Sequence, residues 1–480
     1  MTDLNAMKPD NVGDLPSDNK TAEGRFASFL IRLRGEPGNS TAIARLRSIA
    51  HLLTGSVTNA IIMLVCTMIA ARTLGSSAYG VLALVLTFCR LSERLVRFES
   101  WQPLIRFAAK EELTADSQRQ AQLFLYGLLL DIGAALLAAL LAVIGGFVLG
   151  PLVSLKPEHM PLIAIYSLAI ATNLRGMPTA ALRLSGQFRT LAYVQIFSSL
   201  LRLSFASLAF IFDANLHTFI IIWTMAQMLD SALFLCLGFR ALKRLGIPNP
   251  LRAGARGMTA RFPSFMKFAW STNFSSSLRT LTLEGDTLLV GAFAGTSAAG
   301  FYHIAKRMAK VAQQVGDMTQ AVLYPDMARL WANSKIADFR RLTAQIQIAL
   351  AAVGFALLGT CLLIGDWLIH VFFGPEFAEI FPLLIAQLIL VILTLHVAPS
   401  RSALLSMNRP GFVLFVAGCS TALFFGVAYL AMPHYGAMGV NISHIAAAAL
   451  TVVAMDIAVW RGSGKQLDSL TTSTRQASGE

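Results

Sequence analysis

A run of about twenty apolar residues from Ile49 to Ala71 recurs roughly twelve times before Arg461, and no other feature constrains the fold of this chain as much. At 1.5 Å of rise per residue, about twenty residues cross a hydrocarbon layer about 30 Å thick. Only helices and closed barrels satisfy their backbone groups there, and segments this long and continuously apolar are helices. The expected spans are 49–71, 79–98, 122–149, 161–183, 191–212, 216–239, 267–294, 300–324, 343–373, 378–404, 411–431 and 437–460. With 55% hydrophobic and only 14% charged residues, the 480-residue chain reads as an all-α polytopic membrane protein and sets aside a water-soluble enzyme.

The net charge of +13 belongs to topology and anionic lipid, not to nucleic acid. Placing the N-terminus inside puts nearly all loop Arg and Lys on one face, and the opposite loops keep little beyond Arg72 and Lys156. The positive-inside rule then puts both termini in the cytoplasm. Residues 1–24 are polar and lack the apolar core of a cleavable signal, so the first span is expected to be retained as an anchor. Between them, Phe26, Phe29, Leu30, Ile31 and Leu33 with Arg25, Arg32 and Arg34 read either as a short interfacial helix or as a disordered stretch. The five cysteines, Cys66, Cys89, Cys236, Cys361 and Cys419, are scattered singly through apolar segments and read as small core residues.

The chain repeats itself at a spacing near 221 residues. Pro178, Leu184 and Ser185 match Pro399, Leu405 and Ser406 at that offset; Gly80, Ile144 and Gly145 match Gly300, Ile364 and Gly365 at 220, and Gly150 with Pro151 matches Gly374 with Pro375 at 224. Six spans separate equivalent points, so the halves share one membrane orientation: a parallel repeat of two six-helix lobes, with a substrate path between them. The expected division is a tail at 1–45, a lobe at 46–240, a basic cytoplasmic linker at 241–266, a second lobe at 267–461 and a tail at 462–480.

No Walker A loop, HExxH, GxSxG or paired Cys ligand set occurs, so neither catalysis nor a cofactor is expected. The informative groups are charges at membrane depth, where each costs about 2.5 to 3.5 kcal/mol on insertion scales and so faces a bundle interior or a wet cavity. Arg90 lies about 16 Å below Tyr79 on the second span, with Arg94 and Arg97 on the same face and Glu93 among them as a partner; snorkelling to the cytoplasmic edge competes with a cavity role, most strongly for Arg97. The eighth span carries His303, Arg307 and Lys310 on one face with Lys306 alongside, and Lys310 stands 220 residues from Arg90 at equivalent depth. A cavity role for these four competes with structural pairing to Glu284 or Asp286. Arg90, Arg94, His303, Lys306, Arg307 and Lys310 are therefore the candidate anion-binding residues, and Glu93, Glu284 and Asp286 the candidates for ion coupling. Asp131, Arg175, Arg202, Asp230, Asp317, His396, His444 and Asp456 read as structural pairs or helix ends ahead of proton relays. GxxxG spacings at Gly146 to Gly150 and Gly291 to Gly295 permit close helix approach.

The segments AARTLGSSAYGVLALV after the first span and GDTLLVGAFAGTSAAGFYHIAKRMAK leading into the eighth resemble the Wzx-like bacterial polysaccharide flippases of the multidrug/oligosaccharidyl-lipid/polysaccharide exporter superfamily. The resemblance covers about residues 46–461 and rests on Leu74, Gly75, Tyr79, Gly80, Asp286, Gly291, Gly295, Gly300, Tyr302 and Pro325. It implies two MATE-like lobes that rock to alternate access, a cation-lined cavity, and a bacterial inner-membrane location. It also implies a polyprenyl-pyrophosphate-linked glycan as substrate, with other polysaccharide assembly proteins as partners. Two readings compete: a cation-coupled drug or metabolite antiporter of the same fold, which needs an essential carboxylate such as Glu284 or Asp286, and a membrane-embedded polymerase or ligase, which needs a larger extracytoplasmic loop than this chain has.

Overall fold

The computed structural model describes the backbone of residues 39–111 and 116–478, with side chains over that range except 39–57, 110–111, 192, 271–272, 274–283, 315, 317–322, 465 and 467–478. The expected interfacial stretch at 25–34 and the side chain of Asp317 lie outside it. Among the described residues the regular structure is entirely helical: α1 (Asn39–Val96), α2 (Trp101–Glu111), α3 (Ser117–Leu149), α4 (Met160–Ala171), α5 (Gly176–Leu184), α6 (Phe188–Ile211), α7 (Leu216–Arg244), α8 (Met258–Arg261), α9 (Phe265–Ala332), α10 (Ile336–Phe372), α11 (Ile380–Ser406), α12 (Pro410–Tyr435) and α13 (Ala437–Ser478). Nine helical stretches among the described residues are long and apolar enough to cross a membrane. They follow the twelve expected segments, because α1 and α9 each carry two and the fourth segment is broken.

Both long helices fold back at a glycine. Gly75 has φ 73° and ψ 171°, and Gly295 has φ 85° and ψ −178°, conformations closed to residues with a Cβ. The reversal is visible in contacts no straight helix allows. Tyr302 Oη donates to Asp286 at 2.9 Å across 16 residues, a separation that would be about 24 Å along one axis. Likewise Arg307 reaches Thr67 while His303, one turn away, meets Tyr79, which brings residues 67 and 79 side by side. The two turning glycines stand 220 residues apart, the offset of the sequence repeat. The same repeat reappears where α3 and α10 end, since Pro151 and Pro375 each open a 3-10 turn.

The arms of α1 pack against the arms of α9, and their repeat-related glycines touch each other. A Cβ on Gly300 would lie 3.1 Å from the Gly80 Cα, and one on Gly80 would lie 2.0 Å from the Thr296 carbonyl oxygen. A residue in contact with its own repeat equivalent lies on the axis relating the halves, so the pseudo-twofold runs between Gly80 and Gly300. Replacing Gly80 by Val should part the arms at this end, because the obstructing atom is backbone. With Ser297→Cys as a reporter, a water-soluble thiol reagent should label the Gly80→Val protein several-fold faster than its parent; equal rates would show that the contact does not hold this end shut.

One expected helix is wrong in detail. The segment 161–183 is not a continuous span: α4 stops at Ala171 and α5 restarts at Gly176. Pro178 has no N–H and crowds the carbonyl of residue 174, which breaks the ladder there. Unwound backbone survives at membrane depth only where protein supplies its partners. Asp131, 7% exposed, accepts the Met177 N–H at 2.8 Å and the Ser100 hydroxyl at 2.5 Å. A Cβ at Gly176 would strike both of these side chains. Two further findings depart from expectation: α2 is a helix where a loop stood, its Trp101 ring capped by the Arg183 guanidinium at 3.8 Å, and α13 continues well past 460 through the expected tail.

Candidate functional site

The second arm of α1 and the second arm of α9 bring most of the expected cations together at the seam between the halves. Arg90 is half-buried; it donates to its own Leu86 carbonyl at 3.1 Å and to Thr87 Oγ1 at 3.3 Å, and approaches His303 Nε2 at 3.4 Å. Because the guanidinium can only donate, that imidazole nitrogen accepts. The His303 proton then sits on Nδ1, directed at Tyr79 Oη 2.8 Å away, and the ring is neutral. One turn along, Arg307 donates to Thr67 Oγ1 at 2.9 Å. Lys310, a further turn along the same face, is exposed. Among the described residues no carboxylate lies within 4 Å of Arg90, Arg307 or Lys310.

The carboxylates are already engaged. Asp286, 1% exposed, holds Lys306 Nζ at 2.7 and 2.8 Å and Tyr302 Oη at 2.9 Å. It also accepts from His444 Nε2 at 3.2 Å, from the Thr287 N–H at 2.6 Å and from Thr287 Oγ1 at 3.2 Å. Glu284 pairs with Arg94 at 3.3 Å across the seam. Glu93 turns into the first half, where Arg97 Nη1 and Asn173 Nδ2 reach it at 3.1 and 2.5 Å. Lys306 and Arg94 are thus neutralised by pairing, whereas Arg90, Arg307 and Lys310 form no ion pair among the described residues.

Arg202 lies near them, a residue that sequence reasoning placed among structural pairs or helix ends. It lies midway along α6, Nη2 donates to Gln227 Oε1 at 3.2 Å, and Nη1 points at Met63 Sδ at 3.5 Å. Its buried Nε has no partner among the described residues. Thr67, which receives Arg307, bonds back to the Met63 carbonyl, so Arg202 and Arg307 approach adjacent turns of one helix. The available signal was position, since an arginine at the centre of an apolar span is the most costly place for one. Tyr79 and Thr67 carry no such signal, because a neutral hydroxyl in a helix can satisfy itself.

Each lobe also pairs a base with a carboxylate three residues before its repeat-matched proline. Arg175 forms an ion pair with Asp230, which also receives Ser198, and Arg175 donates to Asn173 Oδ1 at 3.0 Å. In the second half, His396 Nε2 meets Asp456 at 2.9 Å, joined by Ser400 at 2.5 Å and Gln347 at 3.0 Å. These groups lie inside the lobes and read as internal struts. All five cysteines are free.

Among the described residues this seam holds four cations with no carboxylate within ion-pair distance, and such groups are charge-assisted hydrogen-bond donors. The chain is similar to known proteins and to solved structures. The inner membrane protein YghQ of Escherichia coli K12 is 23% identical over 343 residues, 71% of this chain and 95% of that protein. The teichuronic acid biosynthesis protein TuaB of Bacillus subtilis is 27% identical over 232 residues, 48% of this chain and 45% of its own length. Among solved structures, the lipid II flippase MurJ in an inward closed conformation superposes with a TM-score of 0.66 at 13% identity, covering 85% of this chain and 87% of that one. An inward-facing multidrug resistance MATE family transporter gives 0.64 at 13% identity, covering 86% and 96%. These neighbours are transporters and flippases, not enzymes, and they share the two-lobed helical fold. The family model for polysaccharide biosynthesis proteins matches residues 45–331, more than half of the sequence, and the chain belongs to that family.

Proposed function

We propose that this protein flips a polyprenyl-pyrophosphate-linked oligosaccharide from the cytoplasmic to the outer leaflet of the bacterial inner membrane during surface polysaccharide biosynthesis, by alternating access between its two lobes. The observation that carries the reading is the cationic seam, where Arg90, Arg202, Arg307 and Lys310 face one another's helices without carboxylate partners. A glycan head cannot cross hydrocarbon unaided, since each unpaired polar group costs roughly 2 to 7 kcal/mol to bury, whereas the lipid tail can stay in the bilayer. With the cytoplasm negative, outward movement of an anion is favoured by about 2.3 kcal/mol per charge per 100 mV.

In this reading the lobes comprise residues 46–240 and 267–461, the basic linker 241–266 and both termini are cytoplasmic, and the Gly75 and Gly295 turns face outward. The contact between Gly80 and Gly300 then closes the outer end. A cation antiporter would need an available carboxylate, and the donors already on Asp286, Glu284 and Glu93 speak against it. A strain lacking the protein should stop exporting its surface glycan and accumulate the lipid-linked precursor, quantified by extraction, in the inner leaflet. Normal export together with new drug sensitivity would favour the antiporter instead.

A further inference from the structure

A groove of about 510 Å³ lies on the flank of this seam. Its walls include the end of the second arm of α1 and the residues just beyond it, with Leu95 and Phe98, the face of α3 carrying Leu129, Gly133 and Leu137, and the start of α9 with Trp270. Among the described residues the lining is apolar apart from the Asn273 amide and the Tyr126 hydroxyl. Leu129, Leu137 and Trp270 are 43%, 49% and 59% exposed, so the groove is open along its side. From Tyr126 to Leu137 it follows α3 for about 16 Å, and one leaflet's share of a 30 Å hydrocarbon layer is about 15 Å.

The groove adjoins the charged seam. Leu95 and Val96 sit between Arg94 and Arg97 in sequence, and Arg94 already crosses to Glu284 of α9. Asn273, at the groove's inner edge and 4% exposed, donates to the Arg97 carbonyl at 2.8 Å and joins α9 to the end of α1. A ligand with an anionic head in the seam and a long hydrocarbon chain would therefore find the chain's place immediately beside the head, on the membrane side. We infer that this groove holds the polyisoprenoid chain of the lipid-linked substrate, so that head and tail bind on adjacent flanks of the second arm of α1. The inference rests on the proposed flippase function and adds to it where the lipid enters: through the seam between the ends of α1 and α9, alongside α3.

The structure supplies a substitution to fill the groove. A Cβ at Gly133 meets nothing within 4 Å, and neither does one at Gly418 of α12, remote from the groove. Purified full-length protein in liposomes of phosphatidylethanolamine and phosphatidylglycerol, doped with tritiated polyprenyl pyrophosphate, should be irradiated with a photoreactive amino acid at Leu137 or, as a reference, at the 75% exposed Leu414. Capture of tritium at Leu137 should exceed that at Leu414 at least fivefold, and Gly133→Trp should abolish the excess. In cells Gly133→Trp should lower glycan export at least tenfold and Gly418→Trp should leave it unchanged. Equal capture at the two positions overturns the inference, because the groove would then hold bulk phospholipid; that result decides the matter even if Gly133→Trp fails to fold. Failure of capture in a protein whose deletion still accumulates the precursor removes the groove and leaves the flippase standing, whereas normal export in the deletion strain removes the flippase itself.

Discussion

Replacing either Arg90 or Lys310 by Ala should reduce export of the lipid-linked glycan roughly ten- to hundredfold while the protein remains in the membrane at near-normal abundance. The magnitude follows from the loss of one charge-assisted hydrogen bond to the substrate, about 1.5 to 3 kcal/mol. The preserved abundance follows from the surroundings. Among the described residues Arg90 bonds to the neutral groups Leu86, Thr87 and His303, Lys310 is exposed, and the nearby Glu284 keeps its Arg94 partner, so removing either cation breaks no direct ion pair. Exchange of Arg90 for Lys, or of Lys310 for Arg, should be milder, because charge is kept and only donor geometry changes. The two residues are repeat equivalents on helices whose axis of pseudo-symmetry passes between Gly80 and Gly300, ten residues away from each. Full transport in both Ala variants, measured as export per molecule of membrane protein, would show that neither faces the path.

Asp286→Ala should behave in the opposite way and remove the protein from the membrane. The carboxylate is buried and ties Tyr302 and Lys306 of the eighth segment and His444 of α13 to the seventh. Removing it leaves those donors facing an apolar interior, a loss of about 3 to 5 kcal/mol for a broken buried pair, against a total stability of typically 5 to 15. Abundance of Asp286→Ala, read by quantitative immunoblot of washed membranes, should fall below a tenth of the parent. Removing the charge on both sides, with Asp286→Asn and Lys306→Gln together, should restore part of it. Normal abundance of Asp286→Ala with transport abolished would reverse the assignment and make Asp286 a coupling site instead of a strut. The contrast with Arg90 would separate two kinds of charge in this protein: those paired with a carboxylate and those that are not.

Much of the fold was legible because it is written in local terms. Segment length and apolarity are fixed by the thickness of the bilayer, so the helices of α3, α7, α10 and α12 fall within a few residues of their expected positions. The repeat was legible because its markers are glycines and prolines, whose backbone demands do not depend on neighbours: Gly80 with Gly300 and Pro151 with Pro375 reappear at matching places in the two halves. The repeat-equivalent positions of Arg90 and Lys310 followed from counting residues between the halves. Arg97 pairs with Glu93, the partner already in reach at i−4 on its own helix.

What counting along the chain could not reach was which charge meets which. Sequence gave Lys306 a choice between the cavity and Asp286 or Glu284; only the reversal at Gly295 puts it beside Asp286, 20 residues away, and leaves Glu284 to Arg94 from the other half. The break between α4 and α5 was invisible in apolarity, because Pro178 interrupts the helix only where Asp131 of α3 can receive the freed Met177 N–H. The groove beside α3 is likewise a property of three elements meeting at an edge. The sequence by itself determined that this chain crosses the membrane repeatedly as two related halves with buried cations, because hydrocarbon penalises each polar group separately and so leaves a local record. The tertiary structure alone decided which of those cations meet a carboxylate and which do not, because pairing is settled by distance across helices, and that distance is set by how the glycine turns and the lobes pack.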